Sequence, residues 1–268
     1  DYSRRASSHQ SPQGDLMNET PTPEYAQEPP PLHQASVALP SAPPRVTYAI
    51  MGVTIFVYLL QMASEFFLSG SDYPAYLGMK INDAILVGQL WRLITPVLLH
   101  GSLMHIGFNM YALLAIGSGM ESRMGHLRFL MLYLVAGFAG NVFSFYFSDA
   151  NSLGASTAVF GLLAAEGVFL YLNKGLFGQR AQKALSNIVM VAGVNLFIGM
   201  SPGIDNWGHI GGLLGGLIFA WFGGPRWELE GIYPLLKLKD HRNMRDAVIG
   251  ALVVIGIFGA LALVKFLN

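Results

Sequence analysis

Seven stretches of the chain are almost wholly apolar: Val46–Leu68, Met104–Met120, Leu127–Ser148, Ala155–Leu172, Ala184–Met200, Trp207–Gly223 and Ala247–Val264. A helix crosses a hydrocarbon core of ~30 Å with ~20 residues, and ~17 can suffice. Runs of this length with almost no charge have no polar face to show to water, so they do not read as helices of a soluble core. The pattern predicts an all-α, polytopic membrane helix bundle, with a six-helix core and a seventh, C-terminal helix.

Between the first two runs lies a long connection, Ser69 to Leu103. It is rich in Tyr73, Tyr76, Leu77, Ile85, Leu86, Leu90 and Trp91. Such a stretch is expected to lie in the membrane interface rather than hang in water. Trp91 and Arg92 suit that depth, the indole among headgroups and the guanidinium reaching for phosphates. Residues 1–44 differ from all of this, holding nine of the fourteen prolines and few large apolar side chains. They cannot bury a core and are expected to form a disordered tail. No apolar run lies near their start, so they do not read as a secretory signal. Asp15, Glu19, Glu24 and Glu28 argue against a transit peptide. The expected division is therefore a tail over 1–44, a six-helix core over 45–224, and a loop with the seventh helix over 225–268.

Composition agrees: 53% of residues are hydrophobic and 12% charged, against about 25% charged in a soluble domain. The formal net charge is zero, so nothing points to nucleic acid as a partner. With no Cys, disulfides, thiolate chemistry and Cys-based metal sites are excluded. Thirteen of the sixteen Lys and Arg fall on the side of the tail; Lys80, Arg92 and Lys265 fall on the other. This asymmetry predicts a cytoplasmic N-terminus. It also puts Ser156 and His209 toward the outer face.

Polar groups in membrane helices are costly, which makes each a functional candidate. The fourth run opens Ser152-Leu153-Gly154-Ala155-Ser156. A hydroxyl at that first turn is a helix cap or a nucleophile, and taken alone the cap is the commoner. The second run opens with His105 and Asn109, four apart and so on one face. The sixth opens Asp205-Asn206-Trp207-Gly208-His209, followed by Gly211, Gly212, Gly215 and Gly216. Gly212 and Gly216 form a small-xxx-small face that lets a neighbour approach closely, and His209 shares it. If that neighbour is the fourth helix, with Gly161 and Ala164, His209 meets Ser156 at matching depth.

A Ser beside a His is the minimal activated nucleophile. Asp205 is expected to face water, so a dyad is favoured over a triad. His105, Asn109 and the backbone N–H of Ser156 are the plausible oxyanion donors. His100 reads as structural. A metal site of His100, His105 and His209 would lack an acidic ligand and a His-Glu-x-x-His motif, so no metal is expected. Glu121, near Arg123 and Arg128, reads as structural. Glu166 lies ten residues into its helix, about 15 Å from Ser156, too far for catalysis. Whether it is paired, protonated or reaching the interface stays open.

Taken together, His105-x-x-x-Asn109, Gly154-x-Ser156 and Gly208-His209-x-x-Gly212-x-x-x-Gly216, in this order on the second, fourth and sixth runs, resemble the rhomboid intramembrane serine proteases. Trp91-Arg92 resembles that family's outer-loop motif, and Gly117-x-Gly119-x-Glu121-x-x-x-Gly125 its helix-two ending with a structural Glu. The resemblance covers about Trp91 to Gly216, and the extra helix resembles the six-plus-one form. It implies Ser156 as nucleophile, His209 as general base, and His105 with Asn109 in the oxyanion hole. It implies no cofactor, membrane lipids as surroundings, and single-pass membrane proteins as substrates. Two positions depart from the pattern: Thr157, where the family often has Gly, and Phe160, where it often has a Tyr packing on the His. The alternative is a non-catalytic rhomboid-like protein that binds and escorts transmembrane helices; a transporter is a third reading. A bacterial plasma membrane is the expected setting.

Overall fold

The computed structural model describes residues 41–232 and 235–267, so residues 1–40 of the expected tail lie outside the described residues. Residues 41–44 run without regular structure against a later helix, with the Ala42 N–H donating to the carbonyl of Ser122 at 3.1 Å.

The seven apolar runs are seven helical spans. They are α1 (Arg45–Phe67), a span made of α4 (Leu103–Ala112), a π turn (Leu113–Gly117) and α5 (Ser118–Met124), then α6 (His126–Phe147), α7 (Ser156–Leu172), α9 (Gln179–Ile198), α10 (Asn206–Gly223) and α11 (Met244–Leu267). Short helices α2 (Tyr73–Gly78), α3 (Asn82–Leu86) and α8 (Lys174–Phe177) fill connections. Five of the spans are long and apolar enough to cross a membrane: α1, Leu103–Met124, α6, α9 and α11. The chain is thus an integral, multi-pass membrane protein. The remaining two, α7 and α10, are shorter, at 17 and 18 residues. They are the helices that carry Ser156 and His209, each within the first turn.

The centre of the bundle is the three-way packing of α6, α7 and α10, with α11 against α6 and α10, and α9 against α7. Glycine makes this centre possible. A Cβ on Gly212 would enter the backbone of Thr157 in α7, and one on Gly216 would enter that of Gly161. Gly211 and Gly215 press likewise on Phe143 and Ala139 of α6. Helix α10 therefore meets α7 main chain to main chain and α6 at the first side-chain carbon, the close approach that small residues permit between apolar helices.

At the opposite end of α7 from Ser156, charges find specific partners. The Glu121 carboxylate is fully buried and accepts from the N–H groups of Val46 (2.8 Å) and Thr47 (2.7 Å), the Thr47 hydroxyl (2.7 Å) and His126 Nδ1 (2.5 Å). Helix α1 starts at Pro44-Arg45 and has no side-chain cap of its own. Glu121 supplies that cap from another helix, an anion on orphan N–H groups. Arg123 and Arg128 turn elsewhere. Arg123 grips Glu166 with both terminal nitrogens, at 2.8 and 2.6 Å, so the open question about Glu166 resolves as pairing. Arg128 reaches Asp240 and the carbonyl of Arg242, both at 2.5 Å. Asp240 ends a small hairpin that the apolar pattern did not predict: β1 (Trp227–Glu230) and β2 (Lys237–Asp240), antiparallel, with Trp227 buried against Phe169.

The expectation for Arg92 is corrected. Its guanidinium is buried and donates to the carbonyls of Met79 (2.7 Å) and Tyr76 (2.9 Å), with Nε on Gln89 (2.8 Å). The six-residue α2 leaves carbonyls unpaired at its end, and a five-donor side chain satisfies them where water is scarce. Trp91 is half exposed and donates to the Leu77 carbonyl at 3.0 Å.

Candidate active site

Helix α7 begins at Ser156, yet Ser156 caps nothing: the N-cap position is Ala155, and no side-chain cap bond forms. The hydroxyl points to a neighbouring helix instead. Ser156 Oγ lies 3.0 Å from His209 Nε2. His209 is buried, one turn into α10. Its place is fixed by Asp205, whose Oδ1 accepts from the Gly208 N–H at 3.0 Å as the N-cap of α10. Asp205 was expected to face water; it turns back onto its own helix because the first N–H groups need an acceptor. Among the described residues, no side chain or carbonyl pairs with His209 Nδ1. Phe160, one turn after Ser156, stacks on the imidazole with ring centroids 4.2 Å apart and planes at 12°.

The residue two before Ser156 decides what else can approach. Gly154 has φ +135°, a conformation that L side chains rarely adopt. A Cβ there would stand 2.7 Å from His105 Nε2. The imidazole of His105 therefore lies directly over the Gly154 backbone, beside Ser156. Asn109 is buried on the same face of α4, and one N–H of its amide donates to the His105 carbonyl at 3.1 Å. Among the described residues nothing pairs with the other N–H, which can donate to a ligand. A cleft of about 880 Å³ takes in His105, Asn109, Ser156 and His209, and is bounded by Phe108 of α4 and Ile198 of α9.

His100 stands behind this group. It is buried, lies edge-on to His105 with centroids 5.0 Å apart, and its Nε2 accepts from the Ala155 N–H at 3.4 Å. Burial pushes its pKa down to about 3, so it is a neutral imidazole. Gln61 of α1 clasps the His100 backbone, accepting from its N–H at 3.0 Å and donating to its carbonyl at 3.1 Å. Gln61 was missed in the sequence, although a Gln inside an apolar run is itself a signal. Among the described residues, no three His, Asp or Glu side chains converge to hold a metal ion.

Fold and site together define a polytopic membrane helix bundle with a Ser–His pair in a cleft between its helices. The Rhomboid domain model matches residues 87–226, just over half of the chain, and the chain belongs to the rhomboid family. It is 37% identical to "Rhomboid protease GluP" of Bacillus subtilis (strain 168) over 178 residues, 66% of this chain and 34% of that protein. It is also 37% identical to "RHOMBOID-like protein 4" of Arabidopsis thaliana over 144 residues, 53% of this chain and 36% of that one. "RHOMBOID-like protein 7" of Arabidopsis thaliana is 39% identical over 145 residues, 53% of this chain and 46% of its own. The chain thus spans about a third to a half of the length of these relatives.

Proposed function

We propose that this chain is an intramembrane serine endopeptidase that cleaves transmembrane segments of single-pass membrane proteins with a Ser156–His209 dyad. The observation that carries the reading is the 3.0 Å contact between an uncapping Ser156 hydroxyl and His209 Nε2. Both atoms face a cleft that His105 and Asn109 share. In this reaction His209 Nε2 takes the Ser156 proton as Oγ attacks the peptide carbonyl carbon. The new oxyanion is met by the Ser156 N–H, the second N–H of Asn109 and His105. His209 then gives its proton to the leaving amine, and an acyl-enzyme ester remains. Water, deprotonated by the same His209, attacks that ester and restores the Ser156 hydroxyl. Phe160 takes the place of a third catalytic member in one respect only: it fixes the plane of the imidazole. The reading includes a cytoplasmic N-terminus, with the Ser156 end of the bundle on the other side.

The test is cleavage of a single-pass reporter with helix-breaking residues near the end of its span, by the parent chain and by Ser156→Ala. Labelling with a serine-reactive fluorophosphonate runs in parallel. Cleavage and labelling by the parent, both lost in Ser156→Ala, are expected. A parent that binds the reporter but is neither labelled nor able to cut would make it a binding and escort protein instead.

A further inference from the structure

The segment that delivers Ser156, residues 148–155, contains no helix and only one β-bridge pair. It is held from the connection between the first two spans. The Gly154 N–H donates to the Pro96 carbonyl at 2.9 Å. Lys80 and Ser152 exchange both backbone hydrogen bonds, at 2.9 and 3.2 Å. The Lys80 side chain then does something the dyad does not account for. It is completely buried, and its ammonium reaches the last turn of α6: the Ser148 carbonyl at 2.9 Å, the Ser144 hydroxyl at 3.2 Å and the Ser144 carbonyl at 3.4 Å. Asn82 adds a second donor to the Ser148 carbonyl at 2.9 Å.

A buried Lys without a carboxylate in contact is costly. No carboxylate oxygen lies within ion-pair distance of Nζ among the described residues. What holds it is the negative end of a 22-residue helix, through the second lone pair of the Ser144 carbonyl, which already accepts the Ser148 N–H, and through the Ser148 carbonyl just beyond the helix. The same residue thus fixes, through its side chain, where α6 ends and, through its backbone, where Ser152 lies, four residues before the nucleophile.

We propose that Lys80 is a positioning residue for Ser156: its ammonium, set on the last carbonyls of α6, holds segment 148–155 so that Gly154 and Ser156 meet His105 and His209. This rests on the reading of Ser156 as nucleophile. The charged groups that act on Lys80 are Asp205 at the start of α10, Asp149 just beyond α6, and Lys265 near the end of α11. Burial outweighs them and pushes the amine down to about 8. The hold therefore weakens as pH rises through that value and the charge is lost.

The experiment uses the full chain in detergent. It measures the rate of fluorophosphonate labelling at Ser156 from about pH 6 to about pH 10, a window that brackets a perturbed amine, in the parent, Lys80→Met and Lys80→Arg. Amide exchange of residues 148–156 is followed in the same samples. Parent labelling should fall above about pH 8. Lys80→Met should label about ten- to a hundredfold more slowly at neutral pH, the scale of a misplacement near 1 Å, with no further alkaline fall. Its Ser152 and Gly154 amides should exchange faster. Lys80→Arg cannot lose its charge in this range, so it should keep labelling and lose the alkaline fall; it decides the matter if Lys80→Met does not fold. Labelling, pH profile and exchange unchanged in Lys80→Met, or the parent's alkaline fall retained in Lys80→Arg, would overturn the proposal. A parent that is not labelled at all would remove the catalytic reading alone, because exchange at Ser152 and Gly154 still reports whether Lys80 holds the segment.

Discussion

Phe160 lies flat on His209, and it does so from the helix that carries Ser156. The proposed base is therefore registered to the proposed nucleophile through one turn of α7 as well as through the hydrogen bond itself. An aromatic contact of this kind contributes about 0.5–1.5 kcal/mol. Phe160→Ala should accordingly lower kcat/KM for a reporter about two- to tenfold, while Phe160→Tyr, which keeps the ring, should stay near the parent. Equal rates for parent and Phe160→Ala would show that the ring does not hold the imidazole.

The glycine contacts give a second prediction. Gly212→Ala and Gly216→Ala place a methyl group into the backbones of Thr157 and Gly161. Overpacking of this sort costs about 1–3 kcal/mol. Both variants should unfold earlier on heating in detergent and lose Ser156 labelling together with stability. Gly256→Ala in α11, with nothing within 4 Å of the added carbon, is the control and should match the parent.

The cap on α1 makes a third. Glu121→Gln keeps the shape but removes the charge from a group that accepts from Val46, Thr47 and His126. Hydrogen bonds to charged groups contribute about 1.5–3 kcal/mol, and a loss of that order should appear in thermal or denaturant unfolding. Thr47→Val should cost less, and the double variant should fall short of the sum, since the two share one network.

A fourth concerns α9. Its single buried residue is Ala181, at the end far from Ile198. Helix α6 has thirteen buried residues. Elements with few buried contacts open at lower cost. Amide exchange in Val189–Ile198 should therefore be faster than in the middle of α6. Equal protection would mean that the side of the cleft bounded by Ile198 is as rigid as the core.

Much of this was legible in the sequence because it depends on local pattern. The seven spans follow from apolar run length alone. The meeting of the fourth and sixth helices follows from His209 standing three residues before Gly212, on the face where only glycine allows close approach. What was not legible depends on partners distant in the chain. Arg92 turns inward because α2 ends on unpaired carbonyls, which no spacing announces. Glu121 was read beside Arg123 and Arg128, but the uncapped start of α1 claims it, 74 residues away from Thr47. Lys80 enters the sequence reading only as one of three cations on the side away from the tail. Nothing near it in sequence shows that α6 ends within its reach. The hairpin escaped because four-residue strands rich in Glu and Lys carry too short an alternation to stand out from a loop.

The contact of α7 with α10 through Gly161, Gly212 and Gly216 also sets the mechanical character of the Ser156–His209 pair. Where side chains separate two helices, their rotamers act as a compliant layer that absorbs small displacements. At Gly212 and Gly216 main chain bears on main chain, and there no such layer intervenes. The backbone separation beneath the pair is then as stiff as the helices themselves, and the play that remains lies in the side chains of Ser156, His209 and Phe160.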